Sequence, residues 1–162
     1  MPEFGAGSRV QLTTLHPALR QVLEFVIQYW DCTILEGKRT LAQQQANVAK
    51  GVSKTLKSLH LPEYSEDPER GVDAVDVAPF PLRWPEQSAQ WQQLQALLTP
   101  AELALAGTFA KELARWYYFH GYCLGVADHM GIPLRHGGDW DGDRDISDQT
   151  FDDLPHLERR RA

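Results

Sequence analysis

Between Leu19 and Trp30 the apolar residues Leu19, Val22, Leu23, Val26 and Ile27 recur at spacings of three and four. That is the stripe of an amphipathic helix, and Pro17 sits in its opening turn, where proline is tolerated. The pattern predicts a helix ending near Trp30. Thr33-Ile34-Leu35 is short and partly β-branched, a predicted strand. Gly37 then turns the chain, and Thr40 opens a second helix running to about Lys50, with Arg39 at the junction. Residues 51–70 are polar and broken by Pro62 and Pro68, which predicts a loop.

Val72 to Val77 alternates, with Val72, Ala74 and Asp76 on one face and Asp73, Val75 and Val77 on the other. Pro79, Pro81 and Pro85 close that strand. Residues 88–98 read as a helix, and Thr99 followed by Pro100 has the signature of an N-cap opening a long one. Its aromatic residues Phe109, Trp116, Tyr117, Tyr118, Phe119 and Tyr122 fall at core spacing. Gly121, Gly125 and Gly131 leave its end open. Leu134 to His136 is a predicted strand, residues 137–153 a loop rich in glycine and aspartate, and Pro155 to Glu158 a predicted edge strand. Together these elements predict an α+β fold, helices packed on a small, mainly antiparallel sheet.

A chain of 162 residues that is 43% hydrophobic can bury one core, so a single domain over residues 1–162 is expected, with loosely ordered ends at 1–12 and 159–162. The net charge of −6 offers no general attraction to phosphate backbones or anionic lipid, which argues against a nucleic-acid partner. Arg159 to Arg161 read as a solvated tail. The apolar stretch 101–130 is interrupted by Lys111, Glu112, Arg115, His120 and Asp128, so membrane insertion is not expected. Residues 1–12 lack a basic region followed by an apolar core and do not form a secretory signal. Cys32 and Cys123 lie far apart in apolar surroundings and are expected as buried thiols. No heptad appears, so a monomer is the default.

Chemistry concentrates at His60, at Asp76 and at Asp152-Asp153-Leu154-Pro155-His156. A zinc ion that hydrolyses amides takes three protein ligands of histidine or carboxylate type and keeps a position for water, and two histidines and an aspartate fit that need. Asp153, three residues before His156, is placed to act as base. Among the other histidines, His16 lies in a polar turn and His120 and His129 fall on the long helix. His136, beside Gly137-Gly138-Asp139, is the best substitute for His60 and could line the cleft, and with Trp140 and Asp139 it is a candidate to touch substrate. Asp139, Asp141, Asp143 and Asp145 alternate as in a calcium loop, but Arg144 occupies the sixth position and Thr150 the twelfth. Calcium binding and a solvated loop therefore both remain open.

Five ordered segments carry a resemblance to a known family: Gly37 to Gln43, Ser58-Leu59-His60, Asp73 to Pro79, Gly137-Gly138-Asp139-Trp140 and Asp153 to Glu158. The chain resembles the M15 family of zinc peptidases, especially phage endolysins that act as L-alanyl-D-glutamate endopeptidases. That resemblance implies His60, Asp76 and His156 as zinc ligands in a cleft on the sheet, Asp153 as the catalytic acid/base, and Arg39 as the cation that steadies a substrate carbonyl or carboxylate. It implies bacterial peptidoglycan as partner and, with no signal, release from the host cytoplasm through a holin. The loop 61–70 is longer than in many members and could shape substrate access. A D-alanyl-D-alanine carboxypeptidase or dipeptidase would use the same zinc site, and a non-catalytic wall-binding module would keep the fold without turnover.

Overall fold

Antiparallel pairing joins four strands, β1 (Cys32–Glu36), β2 (Ala74–Pro79), β3 (Leu134–Gly137) and β4 (Asp153–Arg159), in the order β1-β2-β4-β3. This computed structural model describes residues 1–82, 99–143 and 145–160; the helix expected at 88–98 lies outside them, as does Arg161. The described helices are α1 (Ala6–Leu12), α2 (Pro17–Val26), α3 (Leu41–Ala49) and α4 (Pro100–His129). The fold is α+β, as the patterning predicts.

One face of the sheet carries Val75, Val77 and Leu157 into a core completed by Leu19, Val22 and Val26 of α2 and Phe119 and Cys123 of α4. The amphipathic stripe of α2 is the reason it packs there, but the helix stops at Val26 and turns follow to Tyr29. α3 begins where expected because Thr40 forms a capping box with Gln43. α4 passes straight through Gly121 and Gly125. It ends at His129, and Gly131, with φ of +67°, lets Ile132 N–H reach back to Ala127 O at 2.9 Å, a Schellman closure. Both cysteines are buried and free, and burial lifts the Cys32 thiol to about 12. Among the described residues no helix is long and apolar enough to cross a membrane.

Three expectations need correction. The N-terminal segment is not loose: Phe4 and Ser8 are buried, and Ser8 Oγ accepts from Ile34 N at 3.1 Å. β1 is an edge strand, and α1 satisfies a donor the sheet leaves unpaired. β4 lies inside the sheet between β2 and β3, not at its edge. It tolerates Pro155 because the β3 register jumps there, from His136 opposite Leu157 to Gly137 opposite Asp153, so proline falls in a bulge. Nor is Arg159 a tail residue. It closes β4, donates from Nε to Asp73 Oδ1 at 2.9 Å and pairs with Glu66.

The same pairing explains the long loop. Glu66 N–H donates to Asp73 Oδ2 at 2.6 Å, Ser65 Oγ accepts from Asp73 N at 3.2 Å, and Leu61 is buried. Residues 61–70 are thus pinned against the end of the sheet, and none of them lines the cleft described next.

Candidate metal centre

The opposite face of the sheet floors a cleft of about 970 Å³. Asp76 and His156 are direct cross-strand partners of β2 and β4, so the sheet register alone sets their side chains together. His60 arrives from the loop before β2. Its carbonyl accepts from Arg39 N at 2.9 Å, and its Nδ1–H donates to Gly37 O at 2.6 Å, which turns Nε2 inward. On the other side His156 Nε2–H donates to Glu158 Oε2 at 3.1 Å, which turns Nδ1 inward.

Three donor atoms consequently face one point. His60 Nε2 lies 3.2 Å from Asp76 Oδ1, His156 Nδ1 lies 3.3 Å from Asp76 Oδ1, and the two nitrogens are 3.3 Å apart. With each ring's other nitrogen engaged as a donor, both inward nitrogens offer lone pairs beside a carboxylate. Such a triangle repels itself unless positive charge, a proton or a metal ion, sits in it. A tetrahedral zinc with ligand distances of about 2.0–2.1 Å separates its donors by about 3.3–3.4 Å, the spacing observed here. Two imidazoles and one carboxylate also suit zinc better than the oxygen-seeking ions.

The electrostatics agree. Burial opposes charge on both Asp76 and His156, yet their mutual contact outweighs it. Asp76 is held well below the usual carboxylate range by His60 and His156, while Asp76 and Glu158 raise the His156 imidazole to about 10. The donor set attracts positive charge strongly. Asp153 is shifted the other way: burial, and then the charge of Asp76, push its carboxyl above the ordinary value.

Asp153 and Arg39 both line the cleft. Asp153 opens β4 opposite Gly137, where a Cβ would stand 2.5 Å from Asp153 O and 2.9 Å from His156 Cβ; glycine is required for the two strands to close there. Arg39 is buried and held on three sides. It pairs with Glu36 through Nε and Nη2, donates from Nη1 to Gln44 Oε1 at 2.5 Å, and brings Nη2 to 3.5 Å from Asp76 Oδ2. Gln44 in turn donates to Ser53 Oγ and Thr55 O, fixing the lip of the cleft.

The other candidates separate. Trp140 lines the cleft, its indole N–H donating to Phe151 O at 2.8 Å. His136 does not. It lies on the α4 side of the sheet, stacked on His120 at 4.3 Å and edge-on to Tyr117, so it is no substitute for His60. Asp139 is buried, outside the cleft lining, and accepts from Gly142 N at 2.9 Å. Carboxylate oxygens of Asp139, Asp141 and Asp143 lie within 4.8 Å of one another, whereas Asp145, outside that group, accepts from Ser147 N and Oγ. Sequence reasoning missed Glu158, Glu36 and Gln44 as partners of His156 and Arg39. Period-two spacing from His156 put Glu158 on the ligand's face and could have found it.

The chain is similar to known proteins over most of its length. The family model described as phage L-alanyl-D-glutamate peptidase matches residues 2–114. The L-alanyl-D-glutamate peptidase of Escherichia phage T5 is 30% identical over 156 residues, covering 91% of this chain and 88% of that protein. Among solved structures, the Serratia marcescens L-Ala D-Glu endopeptidase ChiX superposes with a TM-score of 0.61 at 23% identity, covering 98% of this chain and 90% of that one. At that identity the structural likeness concerns the fold.

Proposed function

The chain belongs to the phage L-alanyl-D-glutamate peptidase family, and from that membership we propose that it hydrolyses the L-alanyl–D-glutamate bond of peptidoglycan with zinc held by His60, Asp76 and His156. The observation that carries the metal is the triangle of donors with edges of 3.2–3.3 Å, its two histidines already turned by Gly37 and Glu158. When bound, zinc supplies a Lewis acid and activates water for attack on the amide.

The chain's own groups do the rest. Asp153, its carboxyl raised by burial, accepts the proton of the attacking water and returns it to the D-glutamate amine as the C–N bond breaks. Arg39, immobilised by Glu36 and Gln44, keeps one Nη1 N–H beyond those bonds for the developing oxyanion. Because its guanidinium is fixed before substrate arrives, the donor costs no reorganisation during reaction. The protein acts as a phage-type lysin, a monomer that meets the wall after release from the host cytoplasm.

Defined muropeptides test the bond. Incubation with a stem peptide carrying both L-alanyl–D-glutamate and D-alanyl–D-alanine bonds is expected to release new D-glutamate amino ends and no D-alanine. Release of D-alanine alone would replace the endopeptidase reading with a carboxypeptidase one, and intact peptide with tight wall binding would favour a binding module.

A further inference from the structure

We propose that Glu158, braced by Arg135 and Trp140, is the positioning residue that holds the His156 ring for metal binding; the inference rests on the metal reading above. Glu158 lies two residues beyond His156 on β4, so both side chains rise from one face of the sheet. Its Oε2 accepts from His156 Nε2 at 3.1 Å. Its Oε1 accepts from Arg135 Nε at 2.7 Å and from Nη2, and Arg135 is its direct cross-strand partner on β3.

The contacts then close into a ring. Arg135 Nη1 donates to Trp140 O, and the Arg135 guanidinium carbon lies 5.5 Å from the centre of the Trp140 ring. The Trp140 ring stands 5.3 Å from that of His156 at 32°. Glu158 is only 5% exposed, and a carboxylate so buried persists only when its oxygens are paired. Here one oxygen is spent on a histidine and the other on the arginine that balances its charge. Trp140, with its N–H engaged at Phe151 O, serves as a wall of this brace.

The two histidines are therefore unequal ligands. His60 is oriented by the neutral carbonyl of Gly37, His156 by a carboxylate. A carboxylate behind a ligating imidazole fixes its tautomer and raises its basicity, and loss of such a partner commonly weakens metal binding by about 10–100-fold.

Zinc affinity, measured by competition with a chromophoric chelator at fixed pH, tests this on wild type, Glu158→Gln and Glu158→Leu. Thermal unfolding of each metal-free protein is recorded alongside. Glu158→Gln keeps the shape and one acceptor but removes the charge and sets an amide NH2 against His156 or Arg135; measured where the metal-free protein is still folded, it is expected to bind zinc about tenfold more weakly. Glu158→Leu removes the acceptor as well and is expected to lose about 100-fold. Heteronuclear NMR of the zinc-loaded protein should show the His156 Nε2–H shifted upfield in Glu158→Gln, a change that a merely structural role would not produce. A Glu158→Gln affinity within twofold of wild type overturns the inference, even if Glu158→Leu does not fold. Failure of wild type itself to bind zinc would instead remove the metal reading beneath it.

Discussion

Asp76 and His156 stand directly opposite each other on neighbouring antiparallel strands, with Oδ1 and Nδ1 3.3 Å apart. Two of the three metal donors are thus fixed by backbone pairing. A slip of one residue between β2 and β4 would send one of them to the core face, so the hydrophobic alternation that buries Val75, Val77 and Leu157 also holds the centre together. The third donor, His60, depends on a loop tied by Gly37 O and Arg39 N.

Gly137→Ala tests how tightly that geometry is packed. The added Cβ would meet Asp153 O at 2.5 Å and His156 Cβ at 2.9 Å, and backbone cannot yield as a flexible side chain can. The expected result is a loss of about 1–3 kcal/mol in urea unfolding, with a fall in kcat larger than the change in substrate affinity. A variant as active and as stable as wild type would show that β3 and β4 are not closed as described.

Asp153 predicts the acid side of the pH profile. Its carboxyl is raised by burial and by Asp76, and a base works only when deprotonated, so kcat/KM should rise with pH through a single ionisation lying above the ordinary carboxylate value of about 3.9. Asp153→Asn is expected to lower kcat by about 10²–10⁴ and to abolish that limb. A limb that persists in a slow Asp153→Asn enzyme assigns the ionisation to another group.

How much of this was legible in the sequence follows from where each contact originates. His60, Asp76, His156 and Asp153 carry side-chain chemistry that a sequence displays, and strands β2 and β4 announce themselves by alternation. The interior place of β4 was not legible, because the bulge that accommodates Pro155 is created by β3 across the sheet. The helix at Ala6–Leu12 was missed for a similar reason: Ser8 is tied to β1 and Phe4 is buried in the core, contacts that local propensity does not show. His136 misled because a histidine beside glycines resembles a cleft residue, whereas the sheet's two-residue period points it at α4 and His120.

That histidine pair makes a prediction about stability. Burial, and then the neighbouring His136, depress His120 to about 3, and burial lowers His136 as well, so His120 stays neutral in the folded protein well below pH 6. The unfolded chain takes up the His120 proton near pH 6.5 and the folded one resists until much lower, so its contribution is complete above that pH and lost as pH falls through it, and His136 acts in the same direction. His120 alone should give a slope of about 1.4 kcal/mol per pH unit below pH 6. His120→Phe, compared with wild type by urea unfolding at pH 7 and pH 5, should flatten the dependence. An unchanged slope would mean that His120 titrates normally.

The central claim is tested most directly by measuring zinc content together with release of α-amino ends from purified peptidoglycan, for wild type, chelator-treated, zinc-restored and His156→Ala protein. The expected result is one zinc per chain in wild type, activity abolished by chelation and regained with zinc, and neither tight zinc nor activity in His156→Ala. Full hydrolysis by protein stripped of metal, or by His156→Ala, would contradict it.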